Sequence, residues 1–110
     1  MRLPNRKNAI IQKEKLVDYL LSLTDEDGRS KAEYFRKIGF NESNLKDFER
    51  ALLAIAANNE VKTIEKYDFG VKYIAEGLMD SPSGERVKIR TVWSIDRGKN
   101  APRLVTAYHI

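Results

Sequence analysis

Residues 86–108 read RVKIRTVWSIDRGKNAPRLVTAY, and this stretch predicts two β-strands joined by a turn. Because successive side chains of a strand point to opposite faces, the first run presents two different surfaces. Its apolar surface carries Val87, Ile89, Thr91, Trp93 and Ile95. Its opposite surface carries Arg86, Lys88, Arg90, Val92, Ser94 and Asp96. We therefore expect the Trp93 side to pack on a core and the cationic side to face solvent.

The second strand follows a turn at 97–100 (RGKN), a composition typical of turns. Pro102 has no N–H to donate to a sheet, so we place it at the start of this strand. Strict alternation then predicts two sets of side chains. Leu104, Thr106 and Tyr108 share one face, and Arg103, Val105, Ala107 and His109 share the other.

Two helices are predicted by apolar residues that recur every three or four positions. The first spans Lys13–Leu23, and its apolar stripe consists of Leu16, Leu20 and Leu23. The other begins at Asn41 or Ser43 and runs to about residue 58. Its buried stripe is expected to consist of Leu45, Phe48, Leu52 and Ile55.

A further helix is expected to begin at Ser30. Ser30 followed three residues later by Glu33 is typical of a capping box, in which the two side chains satisfy free backbone N–H groups. Gly39 and then Phe40 predict that this helix ends in a Schellman motif. Lys31 would be its first residue, where the macrodipole disfavours a cation. Lys31 is either an exposed lysine that tolerates this position or part of an anion site at the helix start.

Strands are predicted over Val61–Lys66 and Val71–Met79, followed by a turn at 81–84 that leads into the basic strand. Short connections between four strands imply an antiparallel meander, because parallel neighbours need long crossovers. We therefore predict an α+β fold in which three N-terminal helices pack on one face of a four-stranded antiparallel meander sheet. Residues 1–110 are expected to form a single domain, helical over about 12–58 and sheet over about 60–110.

Composition narrows the classes of function. The 110 residues carry a net charge of +4, which favours polyanionic partners. The absence of cysteine excludes disulfides and thiol chemistry, and a single histidine argues against a zinc site. Phosphate-loop and nucleophile-elbow motifs are absent, so we expect no cofactor. Without a signal peptide or an apolar span at the amino terminus, we expect a cytoplasmic protein that does not enter membranes.

The alternating cations Arg86, Lys88 and Arg90 are the clearest functional signal. Cations at every second strand position lie about 6.6 Å apart, a spacing that suits a track of phosphates. Alternatively, they form a solvated face paired with carboxylates of neighbouring strands; the candidates are Glu65, Glu76 and Glu85.

The end of the chain offers further candidates with two interpretations each. His109 is either a catalytic or binding group or simply a terminal residue. Thr106 and Tyr108 either pack in the core with satisfied hydroxyls or act on a substrate.

Several short motifs occur together along the chain: GRSKA at 28–32, YF at 34–35, GF at 39–40, RTVW at 90–93 and PRLVTAY at 102–108. Together they resemble a family of short bacterial proteins of unknown function. Similar modules form the carboxy-terminal domains of secreted polymorphic and contact-dependent toxins. More distantly, the chain resembles the barnase, EndoU, colicin and RelE-like ribonuclease toxins, which place helices before an antiparallel sheet. The paired histidines of the EndoU type are missing here.

The resemblance implies a toxin-like, metal-independent endoribonuclease. Such enzymes activate the ribose 2′-hydroxyl in line with the scissile phosphate and stabilise the developing charge with cations. Two arginines would clamp the phosphate, because a guanidinium binds it bidentately. The residues implied to take part in catalysis are Arg90, Arg103, Tyr108, Thr106 and Lys31, and those implied to bind RNA are Arg86, Lys88 and His109.

The alternative hypothesis is a non-catalytic interaction module, whose basic face binds an acidic partner protein or an RNA backbone. A toxin-like chain would also have a cognate antitoxin or immunity-type partner. The sequence is compatible with a monomer or a homodimer.

Overall fold

The computed structural model describes residues 1–110, with helices in the first half of the chain and a sheet in the second. The helices are α1 (Lys13–Lys15), which continues as a π-helical segment (Leu16–Leu20), α2 (Arg29–Lys37) and α3 (Leu45–Asn58). The strands are β1 (Val61–Tyr67), β2 (Gly70–Asp80), β3 (Arg86–Asp96) and β4 (Arg103–His109). The predicted α+β class is confirmed.

The strands form one antiparallel sheet in the order β1-β2-β3-β4, which confirms the predicted meander. β2 and β3 are its central strands, and they pair without interruption from Gly70 opposite Asp96 to Asp80 opposite Arg86. β1 and β4 flank them. Ile10 forms a short parallel bridge beside the start of β4.

The helices cover one face of this sheet, and Trp93 lies in the core between the two layers. Trp93 is completely buried. Its indole N–H donates to the Thr91 hydroxyl at 2.8 Å, and that hydroxyl donates to the Ala75 carbonyl at 2.8 Å. On the helix side the rings of Phe35 and Phe48 lie 4.8 Å apart. The prediction that the Trp93 side of β3 faces the core is confirmed.

The first helix ends earlier than its apolar stripe predicted. The Leu21 N–H donates to the Leu16 carbonyl at 2.8 Å, which is the i+5 bond of a π turn. Because a π turn contains one residue more than an α turn, it changes which side chain reaches the core. Leu21 is fully buried, whereas Leu23, which we expected in the stripe, is 49% exposed.

The second helix begins at Arg29, so the capping box predicted at Ser30 is wrong. Gly28 occupies the cap position and offers no side-chain hydrogen bond. Instead, the Asp25 carboxylate accepts from the backbone N–H groups of Asp27 (3.1 Å) and Gly28 (2.7 Å) just before the helix. Lys31 is consequently the third helical residue rather than the first.

The Schellman motif predicted at the end of α2 is confirmed. The Phe40 N–H donates to the Phe35 carbonyl and the Gly39 N–H to the Arg36 carbonyl, both at 3.0 Å. Gly39 has φ of 105°, a conformation that glycine adopts without steric cost. After this turn, α3 begins at Leu45, close to the predicted start.

The prediction of strict alternation along β4 is wrong, because the strand contains a β-bulge. Trp93 pairs with Leu104 and Val92 pairs with Thr106, so that Val105 is an extra residue between the two pairs. The bulge reverses the faces of all later residues relative to those before it.

The bulge follows from the positions of the β4 residues that are buried in the core. Leu104 and Ala107 are both buried, and residues three apart can share a face only if the alternation is interrupted. As a result, Leu104 no longer shares a face with Tyr108, and Arg103 no longer shares one with His109. On the helix-covered face, Ala107 lies opposite Thr91 and His109 lies opposite Ile89. On the uncovered face, which we call the open face, Arg103 lies opposite Ser94 and Tyr108 lies opposite Arg90.

Candidate functional site

A cleft forms where the first turn of α2 meets the end of β4. Its lining residues are Ser30, Lys31, Tyr34, Phe35, Tyr108 and His109. The cleft lies at the edge of the sheet, so neighbouring residues from both faces of β4 reach it. We call it the α2–β4 cleft.

On the open face, Arg90 connects the cleft to a buried carboxylate. Its guanidinium lies 3.4 Å from the Tyr108 hydroxyl and donates to Glu76 at 2.6 Å. Lys62 donates to the other oxygen of Glu76 at 3.1 Å. The Glu76 side chain is only 6% exposed. Burial alone would raise the pKa of Glu76, but the hydrogen bonds from Arg90 and Lys62 outweigh it and the pKa is lowered. Glu76 is thus held as a carboxylate.

At the edge of the sheet, Lys31 and Thr106 both contact Tyr19 of the π-helical segment. The Tyr19 and Thr106 hydroxyls lie 3.0 Å apart. The Lys31 ammonium lies 5.4 Å from the centre of the Tyr19 ring and donates to the Asp27 carbonyl at 3.1 Å. Lys31 therefore approaches the cleft without a carboxylate partner, since no acidic side chain lies within ion-pair distance.

His109 forms the opposite wall of the cleft. Its ring stacks on that of Tyr34 with the centroids 4.3 Å apart and the planes 14° from parallel. Burial and the charge of Glu85 raise the pKa of the Tyr34 hydroxyl, so it stays protonated. The stacking orders the His109 side chain, although this residue is exposed and lies next to the carboxy terminus.

Arg103 lies in a second cluster, away from the cleft. It donates to the Asp96 carboxylate at 2.7 and 3.2 Å. The same carboxylate accepts from Ser94 at 2.7 Å and from Tyr67 at 3.3 Å. Hydrogen bonds from Arg103 and Ser94 lower the pKa of Asp96 to about 2. Four positions of β3 separate this cluster from Arg90, which is about 13 Å at roughly 3.3 Å per residue.

The other two cations of the basic strand differ from each other. Arg86 donates to Asp80 at 2.9 Å and is highly exposed, at the far end of β3. Lys88 is exposed and has no carboxylate partner. The structure thus brings together five of the residues considered above, Lys31, Arg90, Thr106, Tyr108 and His109, but not Arg103 or Arg86.

Three residues next to the cleft were missed by sequence reasoning: Tyr19, Tyr34 and Glu76. Tyr34 appeared in a motif but carried no role. Glu76 was considered only as one of several ion-pair partners, and antiparallel pairing places it directly opposite Arg90. Tyr19 depends on the π turn, for which the sequence has no recognisable signal.

No three side chains of the metal-ligating types His, Asp and Glu converge anywhere in the chain. None of the helices combines the length and hydropathy needed to cross a bilayer.

Comparison with known proteins gives a family and a shared fold. The family described as "Domain of unknown function (DUF6883)" matches residues 2–110. No curated protein matches the chain. Among solved structures, a chain of a contact-dependent growth inhibition toxin–immunity protein complex from Klebsiella pneumoniae 342 is similar to it, with a TM-score of 0.74 and 16% identity. The similarity covers 94% of this chain and 95% of that chain. At this identity, the match shows the fold alone.

Proposed function

Because the chain belongs to the DUF6883 family, and because its fold is that of a chain from a toxin–immunity complex, we propose that it is a toxin-like, metal-independent endoribonuclease. A cognate immunity-type protein would then be its partner. The α2–β4 cleft would bind the scissile phosphate of RNA.

The observation that carries this proposal is the convergence at one cleft of a cation without a carboxylate partner, an imidazole and a phenol: Lys31, His109 and Tyr108. Cleavage of RNA without a metal requires a group that accepts the proton of the 2′-hydroxyl, a group that protonates the leaving 5′-oxygen and a cation near the non-bridging oxygens. These three side chains supply one group for each requirement.

The surroundings of Tyr108 support a role in proton transfer or substrate positioning. The Arg90 guanidinium lies 3.4 Å from the hydroxyl, and the same guanidinium donates to the Glu76 carboxylate at 2.6 Å. A guanidinium favours negative charge on a neighbouring oxygen. In this proposal Arg90 acts on Tyr108 and on the phosphate, whereas Thr106 orders Tyr19. Arg103, Arg86 and Lys88 would contact phosphates outside the cleft.

The test is incubation of the purified protein with labelled RNA in the presence of EDTA. We expect fragments that end in a 2′,3′-cyclic phosphate or its hydrolysis product. Tyr108→Phe and Lys31→Gln should each lower the cleavage rate by about 100-fold, the lower end of the usual effect of removing a proton-transfer group or a group that stabilises the transition-state charge. Tyr108→Phe keeps the aromatic ring, and Lys31→Gln keeps a polar side chain without the positive charge.

Matched controls exist for both substitutions. Tyr73→Phe removes a hydroxyl from a central strand, and Lys37→Gln removes an exposed cation at the other end of α2. Both controls should cleave at the wild-type rate. Intact RNA with folded wild-type protein would refute the enzymatic proposal, and equal losses in variants and controls would refute the location of the site.

A non-catalytic interaction module is the second candidate, and the ion pairs of the open face favour it. Arg86, Arg90 and Arg103 each have a carboxylate partner, Asp80, Glu76 and Asp96. Paired guanidinium groups are less available to phosphates. This candidate predicts uncleaved RNA together with tight 1:1 binding of the protein encoded by a neighbouring gene, measured by calorimetry.

A further inference from the structure

The π-helical segment places Tyr19 next to two lysines from different helices. Lys15, the last residue of α1, has its ammonium 4.9 Å from the centre of the Tyr19 ring. Lys31 of α2 has its ammonium 5.4 Å from the same point. Both distances are within the range of cation–π attraction, which is about 6 Å. One aromatic ring thus orders two ammonium groups.

The ring itself is held in place from two further directions. Its hydroxyl contacts the Thr106 hydroxyl at 3.0 Å. Gly28 packs so closely on Tyr19 that a Cβ at residue 28 would overlap the Tyr19 carbonyl oxygen and crowd the ring. Because Thr106 of β4 and Gly28, the residue before α2, both contact Tyr19, the two lysines lie next to a ring that packing holds in place.

The charge of this pair is not compensated by acidic side chains. Neither Lys15 nor Lys31 has a carboxylate within ion-pair distance, in contrast to the three arginines of the open face. The two ammonium groups are at most about 10 Å apart, the sum of their distances to the ring centre. Both therefore add to the positive potential around the Tyr19 ring, and that potential attracts an anion.

We propose that Lys15, Tyr19 and Lys31 form a binding subsite for one phosphate of an RNA backbone. The subsite rests on the proposed function, because Lys31 also lines the α2–β4 cleft. A phosphate bound there is a neighbour of the scissile phosphate on the same strand. The ammonium groups bind its oxygens, and the Tyr19 hydroxyl can donate to it when the Thr106 hydroxyl donates to Tyr19.

The experiment measures binding without cleavage. A short 2′-O-methyl RNA lacks the attacking hydroxyl, so its binding can be followed by fluorescence anisotropy from low to high salt. Lys15→Gln should weaken binding several-fold and reduce the slope of log K against log[salt] by about 0.7, the value for one phosphate contact on a single strand. The control Lys13→Gln removes an exposed lysine from the same helix, on a groove shared with Leu45 and Glu49. It should leave the slope unchanged.

The outcomes separate the subsite from the proposed function. If the wild type cleaves ordinary RNA but Lys15→Gln and Lys13→Gln bind the 2′-O-methyl RNA alike, the subsite is refuted and the nuclease proposal stands. If the wild type neither binds nor cleaves RNA at low salt, both are refuted.

Discussion

Replacing Asp96 by asparagine should remove a stabilising charge from the open face while preserving its shape. The carboxylate accepts hydrogen bonds from Arg103, Ser94 and Tyr67. Three strands, β1, β3 and β4, are therefore joined at this one side chain. Asparagine can still accept hydrogen bonds, but it carries no charge to pair with the guanidinium.

The expected magnitude follows from the pKa of Asp96. The pKa is lowered from 3.8 to about 2, and each pKa unit corresponds to about 1.4 kcal/mol. The side chain is 31% exposed, so solvent screening reduces the contribution. We expect about 1–2 kcal/mol. Because the pKa is lower in the folded state, this stability is present above the unfolded value of 3.8 and is lost as the pH falls towards 2.

The assay is urea unfolding of wild type and Asp96→Asn at a series of pH values from 2 to 7. The difference in the free energy of unfolding should be about 1–2 kcal/mol at neutral pH and should disappear near pH 2. Other carboxylates titrate in both proteins and cancel. Asp80→Asn is the matched control, because Asp80 also pairs with an arginine, Arg86, but its side chain is 79% exposed. This substitution should lower the free energy of unfolding by at most about 0.5 kcal/mol. A gap that persists unchanged at pH 2 would refute the reasoning.

Two further substitutions test the supports of the cleft. Glu76→Gln should lower the free energy of unfolding by about 2 kcal/mol, less than the loss of a fully buried pair because Arg90 and Lys62 retain contact with water; an unchanged urea midpoint would contradict this. Gly28→Ala should cost about 1–3 kcal/mol, because the new methyl group overlaps the Tyr19 carbonyl. A melting temperature equal to that of wild type would show that the α2 start can shift without cost.

The meander was predictable because its evidence is local. Alternation over 86–96 and the glycine-containing turns at Gly70, Gly84 and Gly98 all point to antiparallel neighbours, and each of these glycines has positive φ. Helix ends were less predictable, since they depend on tertiary contacts. Gly28 rather than Ser30 caps α2, because Gly28 also packs on Tyr19. The residues around Gly28 in the sequence do not indicate its contact with Tyr19.

The candidate site was harder to predict than the fold for the same reason. The residue types at the end of β4 indicated Tyr108 and His109 as candidates. The sheet face on which each of them lies depends on the bulge, which the alternation of apolar and polar residues does not predict. Tyr34 and Tyr19 reach the cleft through a stacked ring and a π turn. Both are consequences of packing rather than of sequence pattern.

The Val105 bulge determines both which β4 residues are buried in the core and which lie on the open face. Leu104 and Ala107 can both be buried only if the alternation of β4 is interrupted between them, and the same interruption puts Arg103 and Tyr108 on one face although five positions separate them. The open face therefore has two clusters of arginine and carboxylate, centred on Arg90 and Arg103, about 13 Å apart along the strands. A single phosphate cannot span that distance. If both clusters act on one ligand, the ligand is an extended polyanion rather than a mononucleotide, and the RNA that we propose as substrate meets this condition.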